Sequence, residues 1–170
     1  MKKTKISNGG FTLVELVIVM AIMVIIGGAA FTGLQLLTSR PVDECAKKFQ
    51  ISLEGNRNTT MGKYSSSLTF TQNDNGVWME EYINGISQGV TQIGQSGVTV
   101  KYYTQENGVG TASEHNLGTS SVTLSFDRSN GSLNDQGDGK TYVTSFVVTR
   151  GNLKTLTVTI DRLTGRVEVK

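Results

Sequence analysis

Gly9-Gly10-Phe11-Thr12-Leu13-Val14-Glu15-Leu16 heads an apolar run that continues to Leu37. Between Phe11 and Leu37 the only polar side chains are Thr12, Glu15, Thr32 and Gln35, and no Lys or Arg stands between Lys5 and Arg40. As a helix the run would rise roughly 40 Å at about 1.5 Å per residue. That exceeds the roughly 30 Å hydrocarbon core of a bilayer, and buried core helices seldom carry so long an apolar run. Lys2, Lys3 and Lys5 predict that the N-terminal end stays in the cytoplasm while the following domain is delivered outside. An ordinary secretory signal places its apolar region before the cleavage site. Here the order is reversed: a cut after Gly10 would remove the charges and leave the apolar helix on the mature chain.

Glu15 sharpens this reading. An acid at the centre of a membrane helix costs about 2.5–3.5 kcal/mol on insertion scales and is by default a functional candidate. Two bland readings compete with it. Glu15 lies four residues from Phe11 and can snorkel to the interface, and a helix N-terminus favours a carboxylate. Cleavage after Gly10 shifts the balance toward the functional reading, because it creates a positively charged α-amine on Phe11. A neighbouring subunit could pair that amine with Glu15 in apolar surroundings, where either charge alone is costly.

The lysine-rich leader, Gly10, Phe11-Thr12-Leu13-Val14-Glu15-Leu16 and the apolar helix after them resemble the class III signal of type IV pilins and type II secretion pseudopilins. The resemblance covers residues 2–37. It implies cleavage between Gly10 and Phe11 by a prepilin peptidase, N-methylation of Phe11 by the same enzyme, and a role for Glu15 in setting subunit register. It also implies that the helices pack as the core of a filament. Many such pilins carry a proline part-way along this helix. Here Thr32 stands near that point, and Gly27-Gly28 are the weaker positions, glycine costing about 1 kcal/mol each in a helix.

The remainder, about 130 residues after Leu37, is enough for a self-sufficient core. The chain of 170 residues has a net charge of +2. Three of its sixteen basic residues lie in the leader; without them 13 basic residues face 14 acidic ones, a formal charge of −1. That is no electrostatic footprint for nucleic acid. Cys45 is the single cysteine, so no intrachain disulfide can form. At the start of an amphipathic stretch it reads as a small buried apolar side chain, with an intermolecular disulfide or a reactive thiol as the alternative.

Pro41 interrupts the helical pattern in one of two ways. It kinks a continuing helix by opposing the carbonyl of Leu37, or Ser39 caps a fresh helix with Pro41, Asp43 and Glu44 in its first turn. In both cases Val42, Cys45, Phe49 and Leu53 make one apolar face, opposite Glu44, Lys47, Lys48 and Glu54. Gly55-Asn56-Arg57-Asn58 is expected to end it. Beyond lies strand-like sequence: Leu68 and Phe70 alternate with threonines, and Asn73-Asp74-Asn75-Gly76 marks a turn before Val77-Trp78. Val98, Val100 and Tyr102 alternate with Thr99, Lys101 and Tyr103. Residues 83–97 stay ambiguous, with Ile83, Ile86, Val90 and Ile93 at helical spacing but Gly85, Gly89 and Gly94 arguing for loop or broken strand. Residues 107–121 read as an exposed loop.

Ser121-Val122-Thr123-Leu124-Ser125-Phe126-Asp127-Arg128-Ser129-Asn130-Gly131 is echoed, 34 residues on, by Thr155-Leu156-Thr157-Val158-Thr159-Ile160-Asp161-Arg162-Leu163-Thr164-Gly165. Each is a half-buried strand running into an Asp-Arg-x-x-Gly turn, in which Asp accepts backbone hydrogen bonds and Gly supplies a left-handed conformation. The pair reads as two hairpins built alike rather than a duplicated binding site. Phe126, Asp127 and Gly131, with Thr164, Gly165, Arg166 and Val167 in the last strand, also resemble H-type minor pseudopilins and minor pilins. That resemblance implies a β-sandwich on the helix.

Chemistry of other kinds is thinly represented. His115 is the only histidine, so zinc sites of ordinary composition lack ligands, and a lone loop histidine is expected to be solvent-exposed. No glycine loop is followed by Lys-Ser/Thr to hold phosphate. Asn134-Asp135-Gln136-Gly137-Asp138-Gly139 lacks the calcium-loop spacing and reads as a polar connection. Trp78, Tyr102, Tyr103 and Tyr142 are read as core or cross-strand residues rather than a binding surface.

The expectation is an α+β subunit: leader 1–10, transmembrane and assembly helix 11–37, amphipathic helix 38–58, and an antiparallel β-domain 59–170. Its role is structural, without catalysis, metal or cofactor, in a pilus or pseudopilus and as a minor rather than a major subunit. The resemblance implies as partners other pilin or pseudopilin subunits, prepilin peptidase, the membrane platform protein, the assembly ATPase and, before assembly, the bilayer. It implies a single-pass protein of the cytoplasmic membrane that later joins an extracytoplasmic filament. Competing readings are a secretion or competence pseudopilin, a tip adhesin or DNA-uptake module, and a tethered enzyme that keeps its leader. A cluster of exposed basic residues among 128, 150, 154, 162 and 166 would favour the binding module.

Overall fold

A computed structural model describes residues 12–62, 64–107, 109–152 and 154–170. The chain divides into two compact units, Met1–Leu37 and Thr38–Lys170, and helix α1 (Leu13–Met61) contributes residues to both. In the first unit every described side chain from Leu13 to Gly28 is exposed. Leu13, Met23, Val24 and Ile25 are each more than two thirds exposed. A helix apolar on all sides is stable only where neighbours or lipid cover it. Among the described residues no helical stretch is long and apolar enough to cross a membrane. Described side chains of this unit stop at Gly28, and residues 13–28 rise about 24 Å against roughly 30 Å of hydrocarbon.

In the second unit α1 is amphipathic. Val42, Cys45, Phe49 and Leu53 are fully buried, as their spacing predicts, and Ala46 joins them. Glu44, Lys47, Lys48 and Glu54 are exposed. Pro41 lies inside α1, so the helix runs through it rather than restarting at Ser39. The helix also runs past Gly55-Asn56-Arg57-Asn58 to Met61, three residues beyond the expected stop. Tertiary contacts outweigh the weak helical propensity of those residues. Asn56 is buried and donates to Ser66 Oγ at 2.6 Å, while Arg57 Nε donates to the Gly131 carbonyl at 3.1 Å. Termination comes at Gly62, whose N–H donates to the Asn58 carbonyl at 2.9 Å.

Among the described residues nine strands follow: β1 (Ser66–Asn73), β2 (Gly76–Ile83), β3 (Ile86–Gln95), β4 (Thr99–Glu106), β5 (Ser113–Asn116), β6 (Val122–Ser125), β7 (Thr141–Arg150), β8 (Lys154–Ile160) and β9 (Val167–Val169). They form two antiparallel sheets, ordered β3-β2-β1-β6 and β5-β4-β7-β8-β9. Strict alternation buries Leu68 and Phe70 in β1, Val100 and Tyr102 in β4, and Val122 and Leu124 in β6. In β7 the buried residues Val143 and Phe146 are three apart, because the ladder shifts register opposite Tyr103/Thr104 and resets the alternation. Phe49 of α1 meets Phe70 of one sheet at 4.7 Å and Phe146 of the other at 4.8 Å, between ring centroids. Phe70 and Phe146 meet each other edge-on at 5.6 Å. One aromatic triad therefore joins helix and both sheets, each ring adding about 1.5–3 kcal/mol by burial. The fold class is α+β, with the helix packed on two antiparallel sheets.

One open reading resolves and one expectation changes. Of the alternatives for residues 83–97, broken strand holds rather than helix: Ile83 pairs with Ile86 around a two-residue turn, and β3 runs to Gln95 with register shifts against β2. Asn84 and Gly85 both have positive φ, 52° and 79°, as a hairpin turn of matching twist requires. The 107–121 stretch is not all loop. Residues 113–116 return as edge strand β5 on β4, and Leu117 is buried. Polar composition concealed this strand, whose cross-strand partners are themselves polar: Lys101 Nζ donates to Glu114 Oε1 at 2.7 Å and Tyr103 Oη to Glu114 Oε2 at 2.5 Å.

Candidate functional site

Gly10 and Phe11, the expected cleavage and methylation positions, lie outside the described residues. The described part of the site starts at Thr12, which immediately precedes α1. Thr12 Oγ1 accepts the Glu15 N–H at 3.2 Å. In return, Glu15 Oε2 accepts the Thr12 N–H at 3.1 Å and the Thr12 hydroxyl at 3.0 Å. This reciprocal arrangement is a capping box, which satisfies helix-start N–H groups that have no intrahelical acceptor. Its sequence signal is Thr-x-x-Glu at 12–15, and Thr12 is a residue that charge and apolar periodicity do not single out. The cap turns the Glu15 carboxylate back toward the beginning of the chain. Oε2 is occupied, and Oε1 has no hydrogen-bond partner among the described residues. A carboxylate so placed can accept a hydrogen bond from a cation without giving up its cap.

Cys45 is a fully buried free thiol packed against Gly94, where a Cβ would stand 2.8 Å from Sγ. Desolvation by burial pushes its pKa up to about 12, with a smaller opposing effect from Lys48, so it stays a protonated thiol at neutral pH. His115 is not a loose loop residue. It stacks on Tyr102 with ring centroids 4.9 Å apart, and Nε2 lies 3.0 Å from Thr104 Oγ1. Trp78 stands on the other sheet from Tyr102, Tyr103 and Tyr142, so the four do not make one aromatic surface. Among the described residues no three His, Cys, Asp or Glu side chains gather to hold a metal. In the 134–139 loop the carboxylates serve the backbone: Asp135 Oδ1 accepts from the N–H of Gly137 and of Gly139 at 2.7 and 2.9 Å. Asp138 Oδ1 accepts from Thr141 N–H at 2.7 Å, and these bonds with the Thr141 hydroxyl lower its pKa to about 2.

The two Asp-Arg-x-x-Gly turns are built alike. Phe126 bridges Leu133 and Ile160 pairs with Val167, the same positions 34 residues apart. Asp127 Oδ1 accepts from Ser129 N–H and Oγ, and Asp161 Oδ1 from Thr164 N–H and Oγ1. Both carboxyls are held below the ordinary aspartate range, chiefly by the hydroxyl bond. Folding also brings the turns together. A Cβ on Gly165 would fall 2.1 Å from the Gly131 carbonyl oxygen, and Arg57 lies against both glycines. Of the five basic residues singled out by sequence, Arg150, Lys154, Arg162 and Arg166 divide between the two ends of β8, and Arg128 is exposed in the turn after β6. Arg150 pairs with Lys154, which bridges to Asp43 at 2.5 Å, while Arg162 lies over the Tyr142 ring and Arg166 pairs with Glu168 at 3.3 Å.

Residues 6–31 match the family model of the prokaryotic N-terminal methylation motif, the class III signal of type IV pilins. The match supports a pilin- or pseudopilin-like chain processed by prepilin peptidase and assembled with other pilin subunits; the motif is a structural one, not an enzymatic one. No curated protein and no solved structure matches the chain.

Proposed function

We propose that this protein is a minor pilin-like structural subunit, cut between Gly10 and Phe11, methylated on Phe11 and assembled by packing of α1 into a pilus or pseudopilus. Residues 1–10 act as leader, 11–37 as membrane and assembly helix, and the rest as the displayed domain. In this reading the subunit waits in the cytoplasmic membrane with its N-terminus inside. Assembly needs the platform protein and ATPase of the machinery. The new Phe11 amine of one copy meets Glu15 of the next, an ion pair whose partners are each costly alone in lipid.

The observation that carries the reading is the matched motif at 6–31, heading a helix whose described side chains find no cover within the unit. The capping box adds geometry, because it holds the one acid of the segment at the chain start. Gly10→Ala is expected to block processing, leaving the full-length chain in the membrane on an immunoblot. Mature-length product from that variant would refute the cleavage assignment.

A further inference from the structure

Arg57 is a cation fixed in place without an anion. It is half-buried near the end of α1, and no ion pair among the described residues includes it. Glu54, one turn earlier, accepts from Gln50 Nε2 at 3.0 Å instead. Arg57 Nε donates to the Gly131 carbonyl at 3.1 Å, while Nη1 and Nη2 have no acceptor among the described residues. Packing fixes the side chain all the same. A Cβ on Gly131 would stand 2.8 Å from Nε and 3.1 Å from Nη2, and one on Gly165 would stand 2.9 Å from Cδ and 3.0 Å from Nε. These glycines close the two Asp-Arg-x-x-Gly turns, so the repeated turns together form a cradle for one arginine. Beside it opens a cleft of about 410 Å³ whose walls include Glu54, Arg57, Asn58, Thr164 and Arg166. The Asn58 side-chain amide has no partner among the described residues. Arg166, 77% exposed, shares Glu168 with Lys170, at 3.3 and 3.5 Å.

We propose that this cleft binds a peptide carboxylate of a protein partner, with Arg57 donating to its two oxygens and Asn58 and Arg166 completing the rim. A partly buried charge without a counter-charge is costly, and an arriving carboxylate relieves that cost. The free edge of a guanidinium presents parallel donors that match the two oxygens of a carboxylate. Because the two turns already hold Arg57, little side-chain freedom is lost on binding. Charge narrows the ligand further. One acid, Glu54, against two bases, Arg57 and Arg166, leaves the walls at a formal +1. That balance suits a single carboxylate better than a phosphate dianion. The proposal depends only on the folded second unit, not on how the chain is processed or assembled.

The test is a titration of the full-length protein in detergent micelles, followed by NMR at the Arg57 Nε–H and the Asn58 side-chain amide. N-acetyl-alanyl-alanine offers only a C-terminal carboxylate, and N-acetyl-glutamyl-alanine amide only a side-chain one. Both signals are expected to shift to saturation with at least one of these, and the tighter binder identifies the source. N-acetyl-alanyl-alanine amide, which has neither group, is expected to leave them in place. Arg57→Lys keeps the charge but loses the fork, and is expected to bind about tenfold more weakly. If that variant does not fold, Arg166→Gln on the exposed rim is expected to weaken binding about threefold. Shifts that rise linearly without saturating, or unchanged affinity in the folded variant, would overturn the proposal. Tighter binding of inorganic phosphate than of either peptide would overturn the choice of ligand.

Discussion

The Glu15 carboxylate has one role in the structure, the helix cap, and a second, pairing with a Phe11 amine, in the proposed assembly. Its Oε2 closes the helix start on Thr12 at 3.0–3.1 Å. A cap of this kind is worth about 1 kcal/mol in water, and it explains why a threonine precedes the helix. It does not require a charge, since an amide oxygen caps as well. Pairing with a Phe11 amine does require one. Glu15→Gln should therefore keep membrane insertion, cleavage and the helix start, yet lose incorporation into sheared filaments as Glu15→Ala does. Normal incorporation of Glu15→Gln would leave the residue a cap and nothing more. At this scale the sequence made Glu15 a candidate and passed over Thr12, because the cost of an acid in an apolar run outweighed the ordinary Thr-x-x-Glu signature beside it.

Elements were legible where one face is apolar and obscure where polar residues do the pairing. The Val42, Cys45, Phe49, Leu53 row shows at helical spacing and is buried in full. The hairpin at Asn84-Gly85 was missed although Asn-Gly is a strong local turn signal, because isoleucines spaced near a helical repeat competed with it. β5 was missed because Ser113-Glu114-His115-Asn116 offers no apolar alternation. The helix end was misplaced because Asn56 and Arg57 are held by residues far along the chain, Arg57 by Gly131. The repeated turns show the same dependence on distant contacts. Gly165 has φ of 64°, and a methyl there would strike the Gly131 carbonyl. Gly165→Ala should cost at least about 2 kcal/mol, combining backbone strain with overpacking. Gly137 also has positive φ, 94°, but open space around it, so Gly137→Ala should cost only the strain, about 1 kcal/mol. Denaturant unfolding of the two variants compares them; equal losses would mean that the two turns are not interlocked.

At the scale of the whole molecule, the β-rich unit follows the alternating pattern of its sequence, and the described side chains of residues 13–28 are exposed, as an apolar run without a polar face leaves them. How the strands divide between two sheets was not legible there, since register across β1–β6 and β4–β7 depends on partners far apart in sequence, such as Phe70 with Val122 and Glu106 with Thr141. The carboxylates of the turns give this unit a defined acid response. The folded-state pKa of Asp138 is depressed to about 2, with Asp127 and Asp161 also below their ordinary value. Their hydrogen bonds contribute stability that is complete above about pH 4 and is lost as pH falls through the folded values, toward about 2. Carboxyl titrations followed by NMR should show these three midpoints below the ordinary aspartate value; ordinary midpoints would mean that the turns are not formed in solution. In the proposed function residues 1–10 are an address and the helix after them an assembly element. Intact mass and N-terminal sequencing of the protein recovered from membranes and filaments decide between this and an uncut chain. A chain beginning at Phe11 and carrying one added methyl group is expected, and a chain that still begins with Met1 and the lysine-rich leader would contradict the proposal.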